Sequence, residues 1–183
     1  MQFDSELEEA FAGNILVRIA RAEFEATCPE FEGYLLGRSD SLVGLALLDD
    51  RVRFNGIDVF YIDQITELEV PAPHAVFYES ALRLRADRAP EPPPLDLSSM
   101  RGVLESVSNI APLVVIHREA LEPEVCEIGR LTAFDAETFR LREIDPDADW
   151  ADEDSEFRYE DVTRVGFAGE YEAALALVAG IVV

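Results

Sequence analysis

The sequence predicts a mainly β protein with short helices, of the α+β class, assembled from two tandem copies of one unit. Three observations carry that prediction. The stretch YESALRL at 78–84 returns as YEAALAL at 171–177. Within each half the hydrophobic period switches from helical to alternating and back to helical. Between the halves lies RAPEPPPLD, 88–96, whose prolines favour an extended spacer.

The repetition extends well beyond two matching words. A shift of 97 residues lays Val17, Ile19 and Arg21 on Val114, Ile116 and Arg118. A shift of 96 lays Gly33, Leu35, Leu45 and Asp49 on Gly129, Leu131, Leu141 and Asp145. Thr66 meets Thr163 at 97, and the matching helical words follow at 93. An offset that drifts by a few residues over so long a stretch is the mark of duplication with changing loop lengths. The predicted organisation is a first repeat over 1–88, a linker over 89–96 and a second repeat over 97–183.

Each element follows from local chemistry. The opening segments SELEEAFAGNI and SSMRGVLESVSNI read as short helices, with Ser5 or Ser98 as N-cap and Asn14 or Asn109 as stop. Five strands come next. In the second copy they are LVVIHREA, VCEIGRLTAF, TFRLREID, EFRYED and TRVGF, parted by the turn formers EPE, DAE and DPDAD. The first copy offers VRIARAEF, FEGYLLGRS, LVGLALLD, VRFNGIDVFYID and ITELEV in the same order. A closing helix presents Tyr171, Ala174, Leu175 and Val178, or Tyr78, Ala81 and Leu82, as its packing stripe.

A helix followed by five short meandering strands leaves two long edges unless the sheet curls, which predicts a small barrel in each copy. The run from Gly33 and Leu35 through Val43 and Leu47, in a helix-then-five-strands order, resembles the Sm-like branch of the SH3-like small barrels. The resemblance spans each copy nearly end to end and implies two tandem Sm-like barrels. The RNA pocket of that family does not carry over. Gly44 and Arg140 stand where RNA-binding members have asparagine, and Asp63-Gln64 and Glu160-Asp161 replace their Arg-Gly pair.

Charge narrows the function. The chain holds 15 Lys+Arg against 38 Asp+Glu, for a net charge of −23, so a phosphate backbone meets repulsion instead of counterion-releasing cations. All the cations are arginine, which removes lysine Schiff bases and the P-loop lysine from consideration. Residues 1–90 carry 8 Arg against 17 acids and residues 91–183 carry 7 against 21, so the second half is the acidic one. The acidic N-terminus lacks the pattern of a secretory signal, and the apolar run AALALVAGIVV is too short to cross a bilayer, for which about 20 residues are needed. A cytoplasmic location is expected, with Cys28 and Cys126 reduced and half-buried.

One motif carries cation chemistry. Asp145, Asp147, Asp149 and Glu156 in DPDADWADEDSE occupy positions 1, 3, 5 and 12 of a calcium loop, although Trp150 takes the place of the glycine at position 6. Ordinary Asp-Pro-Asp turn chemistry explains the same residues. Neither His74 nor His117 has a nearby Cys, Ser or carboxylate arranged as a nucleophile and base require, and the cysteines lack zinc spacing. Trp150, Tyr34, Tyr61, Phe54 and Phe60 form either a peptide-binding patch or core.

The resulting expectation is a non-enzymatic protein-interaction module, an adaptor or an immunity-like neutraliser of a basic partner. Nucleic acid and membrane are not expected partners. Calcium binding at 145–156 is the alternative, and an enzyme with its site between the repeats is third. The two repeats are expected to form a pseudo-dimer within one chain, with further homo-oligomers open.

Overall fold

The computed structural model describes residues 2–21 and 30–181. The first half contains α1 (Asp4–Gly13), β1 (Val17–Ala20), β2 (Phe31–Arg38), β3 (Leu42–Leu48), β4 (Phe54–Tyr61), β5 (Glu67–Glu69) and α2 (Ala75–Arg85). The second contains α3 (Met100–Val107), β6 (Val114–His117), β7 (Cys126–Phe134), β8 (Thr138–Glu143), β9 (Ser155–Arg158), β10 (Arg164–Phe167) and α4 (Glu170–Val178). The protein is therefore mainly β with short helices, and the order of elements repeats.

The repetition extends to single hydrogen bonds. In the turn after β3, Asp49 accepts the amides of Arg51 and Arg53, both at 2.9 Å; after β8, Asp145 accepts those of Asp147 and Asp149, both at 2.9 Å. The following left-handed residues, Val52 and Ala148, have φ of 59° and 65°. The Thr66 amide and hydroxyl both donate to the Ala20 carbonyl; the Thr163 amide donates to the His117 carbonyl, and the Thr163 hydroxyl oxygen lies 3.0 Å from that same carbonyl oxygen. A Cβ at Gly33 would lie 2.1 Å from the Ala46 carbonyl oxygen, and one at Gly129 would lie 2.3 Å from that of Arg142. Both glycines thus let β2 and β7 cross their neighbours at backbone distance, and each strand then shifts register two residues on.

The strands expected in two separate barrels lie in one open antiparallel sheet of ten strands among the described residues, ordered β5-β1-β2-β3-β4-β10-β6-β7-β8-β9. The seam is β4 against β10, which pairs Phe60 with Arg164, Val59 with Val165, Asp58 with Gly166 and Ile57 with Phe167. Two edges remain, β5 at one end and β9 at the other.

Strand alternation sends β3 and β4 side chains to two different cores. Val43, Leu45 and Phe60 join Leu7 and Ala10 of α1 in the core of the first half. Leu42, Ala46, Ile57 and Val59 point the other way and join α3 (Met100, Val103, Leu104, Val107) with Phe139, Leu141, Val165 and Phe167. The second half therefore completes its core on the back of the first. Leu95 and Leu97 from the proline-rich segment pack against this shared core.

Several local expectations are corrected. The side-chain cap of α3 is Ser99, whose hydroxyl accepts from the Gly102 amide, instead of Ser98, and α1 starts after Phe3 with no side-chain cap. Asn14 does close α1 in a left-handed conformation, but α3 ends at Ser108, not Asn109. The buried face of α4 runs through Leu175 and Ala176, while Tyr171 and Val178 are exposed. The turn that α4 covers includes Ala148, the counterpart of Val52 under α2, so each closing helix sits on the same hairpin of its own half.

Candidate functional site

Charged side chains meet where β4 abuts β10. Asp58 lies between Ile57 and Val59, whose side chains enter the shared core, so its carboxylate is turned to the opposite face. There Arg164 Nη1 donates to Asp58 Oδ2 at 2.6 Å and its Nε donates to Glu119 Oε1 at 3.1 Å. Glu119, two residues past β6, also accepts from Arg21 of the first half at 2.8 Å and from the Thr163 hydroxyl at 2.6 Å. Arg21 is 1% exposed and Glu119 3%. Each guanidinium caps an aromatic ring, Arg21 over Phe60 and Arg164 over Phe31, both at 5.2 Å. Two cations and two carboxylates cancel, which is the condition for holding charges away from water.

Burial alone would raise the Glu119 carboxyl, but the Thr163 hydroxyl and the Arg21 and Arg164 guanidiniums outweigh it and hold the group below its ordinary value. Burial, reinforced by Arg164, pushes His117 down from 6.5 to about 3. Arg164 Nη2 stands 3.1 Å from His117 Nδ1, and because a guanidinium only donates, Nδ1 accepts and Nε2 carries the proton.

Beside this cluster a cleft of about 190 Å³ is lined by Asn55, Asp58, His117, Arg164, Tyr171 and Glu172 among others. It is the gap between halves that an enzymatic reading requires. Asp58 and Arg164 are committed to each other, and a histidine that titrates near 3 is a weak base. What the arrangement does well is hold β4 and β10 in one register, because a slip would strand buried charges.

The His117 environment predicts acid sensitivity. A folded value near 3 against 6.5 unfolded means that the unfolded chain binds the extra proton, so this stability is complete above 6.5 and is lost as pH falls toward 3. Between pH 6.5 and 4.5 the group alone should remove about 2 to 3 kcal/mol. Thermal melts across that interval should show the decline, and His117→Gln should flatten it. A slope unchanged by the substitution would assign the acid sensitivity elsewhere.

The residues singled out by sequence are dispersed. Asp145, Asp147 and Asp149 lie on the β8–β9 hairpin, where the Asp145 carboxylate is occupied by two backbone amides. Glu156 sits on β9 and bonds Arg140, and no three His, Cys, Asp or Glu among the described residues gather as an ion's ligands would. The same turn is built in the first half from Asp49 with Arg51 and Arg53 at the matching places, so its shape does not depend on an acidic triplet. Cys126 is exposed at the start of β7, not half-buried, and Cys28 lies outside the described residues. His74 precedes α2 with φ of 60°. Of the aromatics, Phe60 belongs to the first core, Tyr34 to the cluster under α2 and Trp150 to the cluster under α4, so they form no single patch.

Sequence reasoning missed Asp58, Glu119 and Arg164. The available signal was a carboxylate inside the apolar run IDVF and an arginine inside TRVGF. No helix among the described residues is long and apolar enough to cross a membrane. No protein-family model matches the chain, and neither a curated protein nor a solved structure does.

Proposed function

We propose that the protein is a non-enzymatic interaction module, two tandem Sm-like units joined edge to edge, whose partner is a basic protein. The carrying observation is the change of one surface between the halves. In the first half the back of β2, β3 and β4 is apolar, with Leu36, Leu42, Ala46, Ile57 and Val59 buried in the shared core. The matching positions of the second half are Thr132, Thr138, Arg142, Asp154 and Glu156. These make a surface network, in which Thr132 and Arg142 both bond Asp154 and Arg140 bonds Glu156.

The correspondence rests on register. β3 pairs Leu45 with Asp58 and Gly44 with Val59, and β8 pairs Leu141 with Ser155 and Arg140 with Glu156. One copy therefore keeps this face for its twin, and the other turns a wet, charged version of it outward in the more acidic half. Arg140 and Arg142 balance the two acids of that face, and the pull on a cationic protein comes from the half around it, which carries 7 Arg against 21 acids. The exposed Cys126 thiol suits a reducing cytoplasm. The Sm-like reading of the first half is supported by α1 and all five of its strands contributing to one core.

The test is capture from an extract followed by calorimetry with each purified candidate. The expected partner has an isoelectric point above neutrality, binds at a defined stoichiometry and weakens as salt rises. Partners that are uniformly acidic or neutral, or binding indifferent to salt, would remove this reading.

A further inference from the structure

We propose that the open edge of β9 receives an extended cationic segment of a partner protein as an eleventh strand, with positive side chains at alternate positions. The inference rests on the basic-partner reading above and names the place and manner of contact.

The internal seam supplies the template. β4 holds in its half the place that β9 holds in the second, and β4 is already paired on its outer side by β10. Among the described residues β9 pairs with β8 alone, which leaves its outer amides and carbonyls open for ladder bonds. At the seam Val165 faces Val59 and Phe167 faces Ile57. On β9 and the residue before it, the same two places hold Glu156 and Asp154. Directly opposed residues on a sheet face favour opposite charge, so the incoming strand should bear arginine or lysine where β10 bears Val165 and Phe167. Arg140 and Arg142 offset these two acids from β8, yet residues 152–161 carry six acids against Arg158 alone.

The same geometry disfavours a second copy of the chain. The strand of this protein equivalent to β10 is β5, since Leu68 pairs Ile19 as Val165 pairs Ile116. Laid on β9, β5 would set Leu68 against Glu156 and bring Glu67 and Glu69 into an acidic margin. Apolar surface would meet charge, and acid would meet acid.

Fluorescence anisotropy of a labelled octapeptide alternating arginine and valine tests the idea on the intact protein. Its comparisons are the same peptide methylated on alternate amide nitrogens and a block-ordered peptide of equal composition. The alternating peptide should bind, and methylation or reordering should each weaken it about tenfold or more through lost ladder bonds or lost charge register. Glu156→Gln should weaken it several-fold, with melting confirming an intact fold, while Glu67→Gln on the far edge leaves it unchanged. Equal binding of all three peptides, or sensitivity to Glu67→Gln instead of Glu156→Gln, overturns the strand addition and leaves the basic-partner reading standing. If no cationic peptide binds in any order, both fall. Concentration-dependent dimers that Glu156→Gln disperses would give the edge to a second copy and overturn the proposal.

Discussion

Glu119→Ala is expected to lower stability by about 3 to 5 kcal/mol, because it takes from Arg21 and Arg164 the carboxylate that both share in a nearly dry site. Asp58 still holds Arg164, and Arg21 keeps its contacts to Gln64 and the Thr163 carbonyl. The loss therefore falls on charge balance more than on packing. For a chain of this length it corresponds to a fall in melting temperature of about 10 °C. The transition should remain single, since the cluster joins residues of both halves across the seam. Two separated transitions, or a shift of only a degree or two, would show that the halves melt independently of this cluster. Thr163→Val, which removes the hydroxyl's bond to the Glu119 carboxylate and its acceptance of the Glu119 amide but leaves the ions, should cost less, about 2 kcal/mol.

A comparably large effect is expected at Gly33. A methyl group there would sit 2.1 Å from the Ala46 carbonyl oxygen and 2.9 Å from its carbon, and both belong to the backbone of the neighbouring strand. Neither can turn aside as a side chain does, so Gly33→Ala must part β2 from β3 and should cost about 3 kcal/mol or more. The repeated geometry supplies an internal replicate, because Gly129→Ala meets the Arg142 carbonyl at 2.3 Å and should behave alike. It also supplies a contrast in the same sheet. Gly44→Ala would find its nearest neighbour at 3.8 Å and should stay within about 0.5 kcal/mol of the parent. Chemical denaturation of the three variants decides the matter, and equal behaviour of all three would refute the close-approach account.

These two cases mark what was legible in the sequence. Gly33 and Gly129 were visible as a matched pair, and so were Thr66 with Thr163 and Asp49 with Asp145, because each does its work inside one copy and leaves the same local trace twice. The seam was illegible for the opposite reason. Arg21 and Glu119 stand 98 positions apart, and nothing local announces that they touch. Alternation revealed two faces on each strand but not what covers them, so closed barrels were expected where one long sheet is found. A residue-by-residue comparison of the copies held the missing clue. Leu36, Ala46 and Val59 against Thr132, Arg142 and Glu156 separate a surface that must be dry from one that stays wet. The α4 stripe misled in a related way, since that helix is apolar almost all round and its own periodicity does not choose a face, whereas Tyr78, Ala81 and Leu82 of α2 do pack inward.

The sharing of one core between both halves has a consequence for synthesis. The first half leaves the ribosome with Leu42, Ala46, Ile57 and Val59 facing water, because β10, which seals them, is the last of the described strands to be translated. At typical elongation rates of about 5 to 20 residues per second, that oily back stands open for about 5 to 20 s after β4 emerges. The nascent chain is thus a natural client for holding chaperones during this interval, and a ribosome stalled before residue 164 would release a fragment prone to clump.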